Sequence, residues 1–102
     1  MIFRPLALTL AAATLAAAAP NANARLDTFM DGYWQYVLRT QPEFSTYLGD
    51  ARYNDRLSDV SRAATLKDYA KQRDFLVKTL AFKDADLDAD HRLDRELLAY
   101  QL

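Results

Sequence analysis

The residues best suited to chemistry lie in the run "DADLDADH", where Asp84, Asp86, Asp88 and Asp90 alternate ahead of His91. Closely spaced carboxylates suit a hard cation, so calcium is the first chemistry to test. An EF-hand loop needs Asp at its first, third and fifth positions, Gly at the sixth for a sharp turn, and a bidentate Glu at the twelfth. Counted from Asp84, the sixth position is Ala89 and the twelfth Arg95; counted from Asp86, they are His91 and Leu97. Neither register supplies the turn or the closing ligand. The same carboxylates suit the start of a helix, where the macrodipole favours each by a few tenths of a kcal/mol and one of them can cap.

His91 is the single histidine of the chain, and there is no cysteine. A zinc site needs several His, Cys or carboxylate ligands at defined spacing, which a lone His does not provide. Two glycines and one His also leave nothing from which to build a phosphate loop, a nucleophile elbow or a Ser-His-Asp set. The sequence therefore names no catalytic, no cofactor-binding and no metal-binding residue, and His91 is expected partly exposed in the first turn of a helix.

The elements around these residues read as helices. Residues 25–39 set Leu26, Phe29, Met30, Tyr33, Trp34, Val37 and Leu38 on the i, i+3, i+4, i+7 series, with Asp27, Asp31, Gln35 and Arg39 as the wet stripe. Gly32 inside that helix costs about 1 kcal/mol relative to Ala, which predicts close approach by another element. A second long helix is predicted over residues 62–82 with Ser61 as its N-cap. Its apolar face is read as Leu66, Tyr69, Ala70, Leu76, Val77 and Leu80, with Asp74 and Lys78 paired outside and a slip in the period near Arg73 and Phe75. A third helix is predicted from about Asp88, carrying Leu93, Leu97, Leu98 and Tyr100. It meets the C-terminus in "ELLAYQL" without a cap or polar tail, the pattern expected of a truncated element.

Between the first two long helices lies "TQPEFSTYLGDARYNDRLSD", residues 40–59. Thr40 and Glu43 have the spacing of a capping box, with Pro42 in the first turn. Phe44, Tyr47 and Leu48 follow at helical spacing, and Gly49 supplies a left-handed end to a short helix. From Asp50 onward Tyr53 and Leu57 are expected as anchors, while Arg52, Asp55, Arg56 and Asp59 pair or bond to backbone. The stretch is read as a pinned linker.

The first quarter of the chain has a different character. Residues 1–24 combine Arg4, an apolar run from Leu6 to Ala19, and the small-residue end Ala22-Asn23-Ala24, the form of a secretory signal peptide cut after Ala24. The run is shorter than the roughly 20 residues that span a bilayer. With no Cys to acylate, a lipid anchor is excluded. The product is expected to be exported, periplasmic or secreted, with no membrane association after cleavage. With 13 Lys and Arg against 14 Asp and Glu, the chain lacks the basic surface that nucleic acid or an anionic bilayer requires. Without disulfides, residues 25–102 must rely on a small core, which gives weight to their being one segment of something larger.

The succession Pro-Glu-Phe-Ser-Thr-Tyr-Leu-Gly-Asp at 42–50, then Arg-Tyr-Asn-Asp-Arg-Leu-Ser-Asp-Val-Ser at 52–61, after a Tyr- and Trp-rich first helix, resembles the opening of the bacterial domain of unknown function family numbered 885. The match rests on Pro42 to Gly49 and Asp55 to Ser61; "DADHRLDRELLAYQL" resembles the family's next helix. The resemblance implies an exported, largely α-helical protein of several hundred residues similar to zinc metallopeptidases, with its zinc motif far downstream, so that no metal or catalytic role transfers to any residue here. On this reading the chain is an all-α N-terminal helical segment, residues 25–102, of antiparallel helices: two long, one short, and a C-terminal one cut off. Its partner would be the missing C-terminal catalytic region. The alternative is a small stand-alone periplasmic protein that binds a helical partner through its Tyr-rich faces.

Overall fold

The computed structural model describes residues 21–102; the expected signal peptide lies outside the described residues as far as residue 20. Among the described residues the chain is all-α. Helices α1 (Ala22–Thr40), α2 (Pro42–Tyr47), α3 (Arg62–Leu80) and α4 (Ala89–Gln101) are joined by 3₁₀ turns at Ala51–Tyr53 and Asp84–Asp86.

Aromatic rings set the packing. Phe29 meets Phe82 with ring centres 5.8 Å apart, Tyr33 meets Phe75 at 5.1 Å, and Tyr36 hydrogen-bonds Asp68, so α1 and α3 run antiparallel. Leu98 of α4 and Leu102 just beyond it share one cluster with Phe75, and Arg95 donates to the Phe82 carbonyl, so α3 and α4 are antiparallel as well. Consequently α1 and α4 run parallel: Ala22 and Leu26 pack on Leu87, while Tyr33 and Val37 pack on Leu98. Phe29 and Met30 touch both clusters and join them into one core.

The first helix buries the side that its spacing predicts, with two differences. Trp34 is 42% exposed and closes edge-on against Phe44 of α2 rather than entering the core. Tyr36, outside the predicted stripe, is buried. Gly32 is not a point of close approach: a Cβ there would meet nothing within 4 Å. The helix starts at Ala22, with the Asn21 side chain accepting from the Ala24 N–H at 2.9 Å, so the cleavage point expected after Ala24 falls inside its first turn.

The second long helix turns most of its predicted face outward, and of that face only Leu76 lies toward the bundle. Leu66, Tyr69, Val77 and Leu80 are exposed, while the side toward the bundle carries Asp68, Gln72, Phe75, Leu76 and the fully buried Thr79. The slip in period at Phe75 marks the centre of the buried side. It escapes an apolar pattern because Asp68 is satisfied by the Tyr36 hydroxyl and Thr79 by the Phe75 carbonyl at 2.7 Å. Ser61 caps α3 as predicted, accepting from Ala64 at 3.1 Å, and Asp88 caps α4, accepting from His91 N–H at 2.8 Å. On α4 only Leu98 of the four predicted apolar residues is buried; Leu93, Leu97 and Tyr100 face out.

The capping box does not form. Thr40 ends α1 with its hydroxyl on the Tyr36 carbonyl at 2.8 Å, while Glu43 crosses to the linker and accepts from the N–H of Ser58 at 2.8 Å and from its hydroxyl. Ser45, buried under α2, donates to the Leu38 carbonyl at 2.6 Å and fixes α2 on the end of α1. Gly49 has φ +87° and ends α2 through bonds from its own N–H to Thr46 and from Asp50 N–H to Ser45. Tyr53 anchors the linker with Arg52 and Arg56 each 5.4 Å from its ring centre; Leu57 does not, being 82% exposed.

Candidate functional site

Asp88 of the acidic run and His91 form a clasp with Asn23 and Asp27 between the starts of α1 and α4. The His91 ring has Nδ1 2.6 Å from Asp88 Oδ1 and Nε2 3.2 Å from Asp27 Oδ1. Asn23 completes it by donating to Asp88 Oδ2 at 3.0 Å and accepting from the Asp88 N–H at 3.2 Å. The Asp88 hydrogen bond raises the His91 pKa above its ordinary 6.5, and the bonds from the His91 N–H and ring hold Asp88 below its ordinary 3.8. The ring thus faces a carboxylate oxygen from each nitrogen, which favours its protonated form. Among the described residues no three His, Cys, Asp or Glu side chains gather to hold a metal ion.

A large concavity lies at the opposite end of the bundle. Toward the end of α3, Phe75 and Phe82 fill the space against α1; toward its start, Asp68 reaches across to the Tyr36 hydroxyl, and Ala63, Ala64 and Ala70 leave room beside it. An open groove of about 1060 Å³ remains between the end of α1, the start of α2, the linker at 56–61 and the first half of α3. Tyr36 and Asp68 line its inner end. Burial, then the Asp68 hydrogen bond, holds the Tyr36 phenol well above its ordinary range, so it stays a neutral donor. The outer lip is fixed by Glu43 on Ser58 and by Asp59, which accepts from the Ser61 N–H at 2.9 Å. These bonds lower both carboxylates below their ordinary values.

Arg39, Lys67 and Lys71 also line the groove. From sequence, Arg39 was placed only on the wet stripe of α1, and Lys67, Lys71, Tyr36 and Asp68 drew no expectation. One local signal was available: Lys67 and Lys71 stand at i, i+4 on one helix, a like-charge spacing that costs a few tenths of a kcal/mol. Among the described residues no helix is long and apolar enough to cross a membrane.

Comparison with known protein families, with curated proteins and with solved structures finds no match to this chain.

Proposed function

We propose that this chain is a non-catalytic helical scaffold at the N-terminal end of an exported protein similar to zinc-dependent peptidases. The observation that carries the reading is the outward apolar side chains of two helices. Leu66, Tyr69, Val77 and Leu80 on α3, and Leu93, Leu97 and Tyr100 on α4, are each at least 55% exposed. Scattered surface leucines are ordinary, but repeated apolar positions along two adjacent helices are the mark of a covered face. The absence of a catalytic set in the sequence and the resemblance of Pro42–Gly49 and Asp55–Ser61 to the family opening support the same reading, in which the covering partner is a downstream helical catalytic region.

Reading the coding sequence beyond the codon for Leu102, together with co-expression of what it encodes, tests this. The expected result is a continuing frame with further helices and a zinc-ligand motif, whose product abolishes binding of an apolar dye to residues 66–100. A stop codon at that point, with a dye-silent monomeric product, would overturn it. The groove favours a second reading, a small stand-alone periplasmic binding protein, and that outcome would leave it in place.

A further inference from the structure

We propose that the groove between the end of α1 and the first half of α3 binds an acidic peptide segment in extended form, its carboxylates held by Arg39, Lys67 and Lys71. The inference does not rest on the scaffold reading. It uses the side of α3 that carries Lys67, Lys71 and Asp74, whereas the outward apolar residues of that helix lie on another side.

Charge decides the sign of the occupant. The acids lining the groove are already engaged: Asp59 accepts from the Ser61 N–H at 2.9 Å, Asp68 from the Tyr36 hydroxyl, and Asp74 from Lys78 Nζ at 2.9 Å. Of the cations lining it, Arg56 stands 3.7 Å from Asp55, whereas Arg39, Lys67 and Lys71 are not engaged. Among the described residues no carboxylate lies within ion-pair distance of Arg39, Lys67 or Lys71, whose recorded partners are at most aromatic: Arg39 stands 5.9 Å from the Tyr36 ring centre and Lys71 5.4 Å from that of Phe75. Two lysines that repel each other along a helix gain from any anion set between them. A local arrangement that weakens a helix without structural return is where a binding role is expected.

Size and shape decide between a small anion and a chain. At about 1060 Å³ and open along its length, the groove exceeds what a single phosphate or carboxylate fills. Between its cations it offers apolar surface from Pro42, Ala63, Ala64 and Ala70, and Leu57 stands 82% exposed on the lip. The backbone beside it is fixed, because the adjacent Ser58 is held by Glu43 through both its N–H and its hydroxyl. A preformed lip spares the bound state much of the ordering cost of closing on a ligand. An extended segment alternating acidic and apolar side chains matches these features, with acids toward Lys67, Lys71 and Arg39 and an apolar side chain under Leu57.

The test is fluorescence anisotropy on the full chain with a fluorescein-labelled peptide of alternating Glu and Val, compared with its Gln-Val counterpart. The Glu probe is expected to bind in the micromolar range, with the Gln probe about tenfold weaker. Lys67→Gln combined with Lys71→Gln is expected to lower affinity for the Glu probe about tenfold while leaving helical circular dichroism unchanged. Arg73→Gln, exposed and outside the groove, should leave affinity unchanged. Equal binding of the two probes would mean that exposed apolar surface does the holding, and would overturn the proposal. So would an unaltered affinity in the double lysine variant, or displacement of the probe by millimolar inorganic phosphate against a chloride control of equal ionic strength, which would reveal a point-anion site.

Discussion

At Gly32 the chain gives up helix stability for no contact. The residue is exposed in the middle of α1, its φ is not positive, and a Cβ would enter open space. Gly32→Ala should therefore stabilise the protein by about 1 kcal/mol, read as a higher urea midpoint at fixed protein concentration. No change or a loss would mean that something packs on that face. Gly49 is the opposite case: at φ +87° an Ala is strained and should cost about 1 kcal/mol or more. Tyr36 is the residue on which the α1–α3 seam turns. Tyr36→Phe removes the donor to Asp68 and should destabilise by about 1–2 kcal/mol. Because the folded phenol titrates above its ordinary 10.0, the stability linked to it is fully present below pH 10 and is lost as pH rises through the folded pKa. The Phe variant should lose that alkaline dependence; an unchanged alkaline profile would detach Tyr36 from it.

Between elements, the clasp at the starts of α1 and α4 has a pH window of its own. His91 titrates above 6.5 in the folded protein, so its contribution is complete below that pH and disappears as pH rises through the raised value. Asp88 titrates below 3.8, so its contribution is present above 3.8 and is lost as pH falls through the lowered value. The unfolding midpoint should hold between these limits and decline on either side, and His91→Gln should remove the decline on the neutral side only. The first turn of α1 belongs to the same clasp. A chain starting at residue 25 lacks the Asn21 cap and both Asn23–Asp88 bonds and should be less stable than one starting at residue 21, by about 1 kcal/mol for the cap alone. Equal stability would mean that the first turn frays. The helices themselves were legible, since Ser61 and Asp88 announce their caps and Leu26 to Leu38 their spacing. The buried side of α3 was not, because it is partly polar: Thr79 bonds back to the Phe75 carbonyl of its own helix, and Asp68 is satisfied by Tyr36, a partner far away in sequence. The groove was illegible for a related reason, since it exists only once antiparallel packing brings the end of α1 against the first half of α3.

For the whole molecule, the balance of buried against exposed apolar side chains sets the behaviour in solution. The fully packed core is short: Leu26, Tyr33, Tyr36, Val37, Leu38, Leu87 and Leu98 with Ala22. A comparable set, from Leu66 to Tyr100, stands in water on α3 and α4. Burying one such Leu, Val or aromatic side chain is worth about 1.5–3 kcal/mol, so at high concentration self-association is the available way to cover them when no partner is present. Sedimentation should show an apparent mass that rises with concentration, together with strong helical circular dichroism and binding of an apolar dye. Val77→Lys with Leu97→Lys should shift the chain toward monomer and lower dye binding, while unfolding stability extrapolated to low concentration changes by no more than about 0.5 kcal/mol per site, because neither side chain supports the core. If these were core residues, the same charges would unfold the protein and dye binding would rise instead. A dye-silent monomer with a sharp cooperative melt from the unaltered chain would mean that the outward residues need no cover, and the scaffold reading would fall with it.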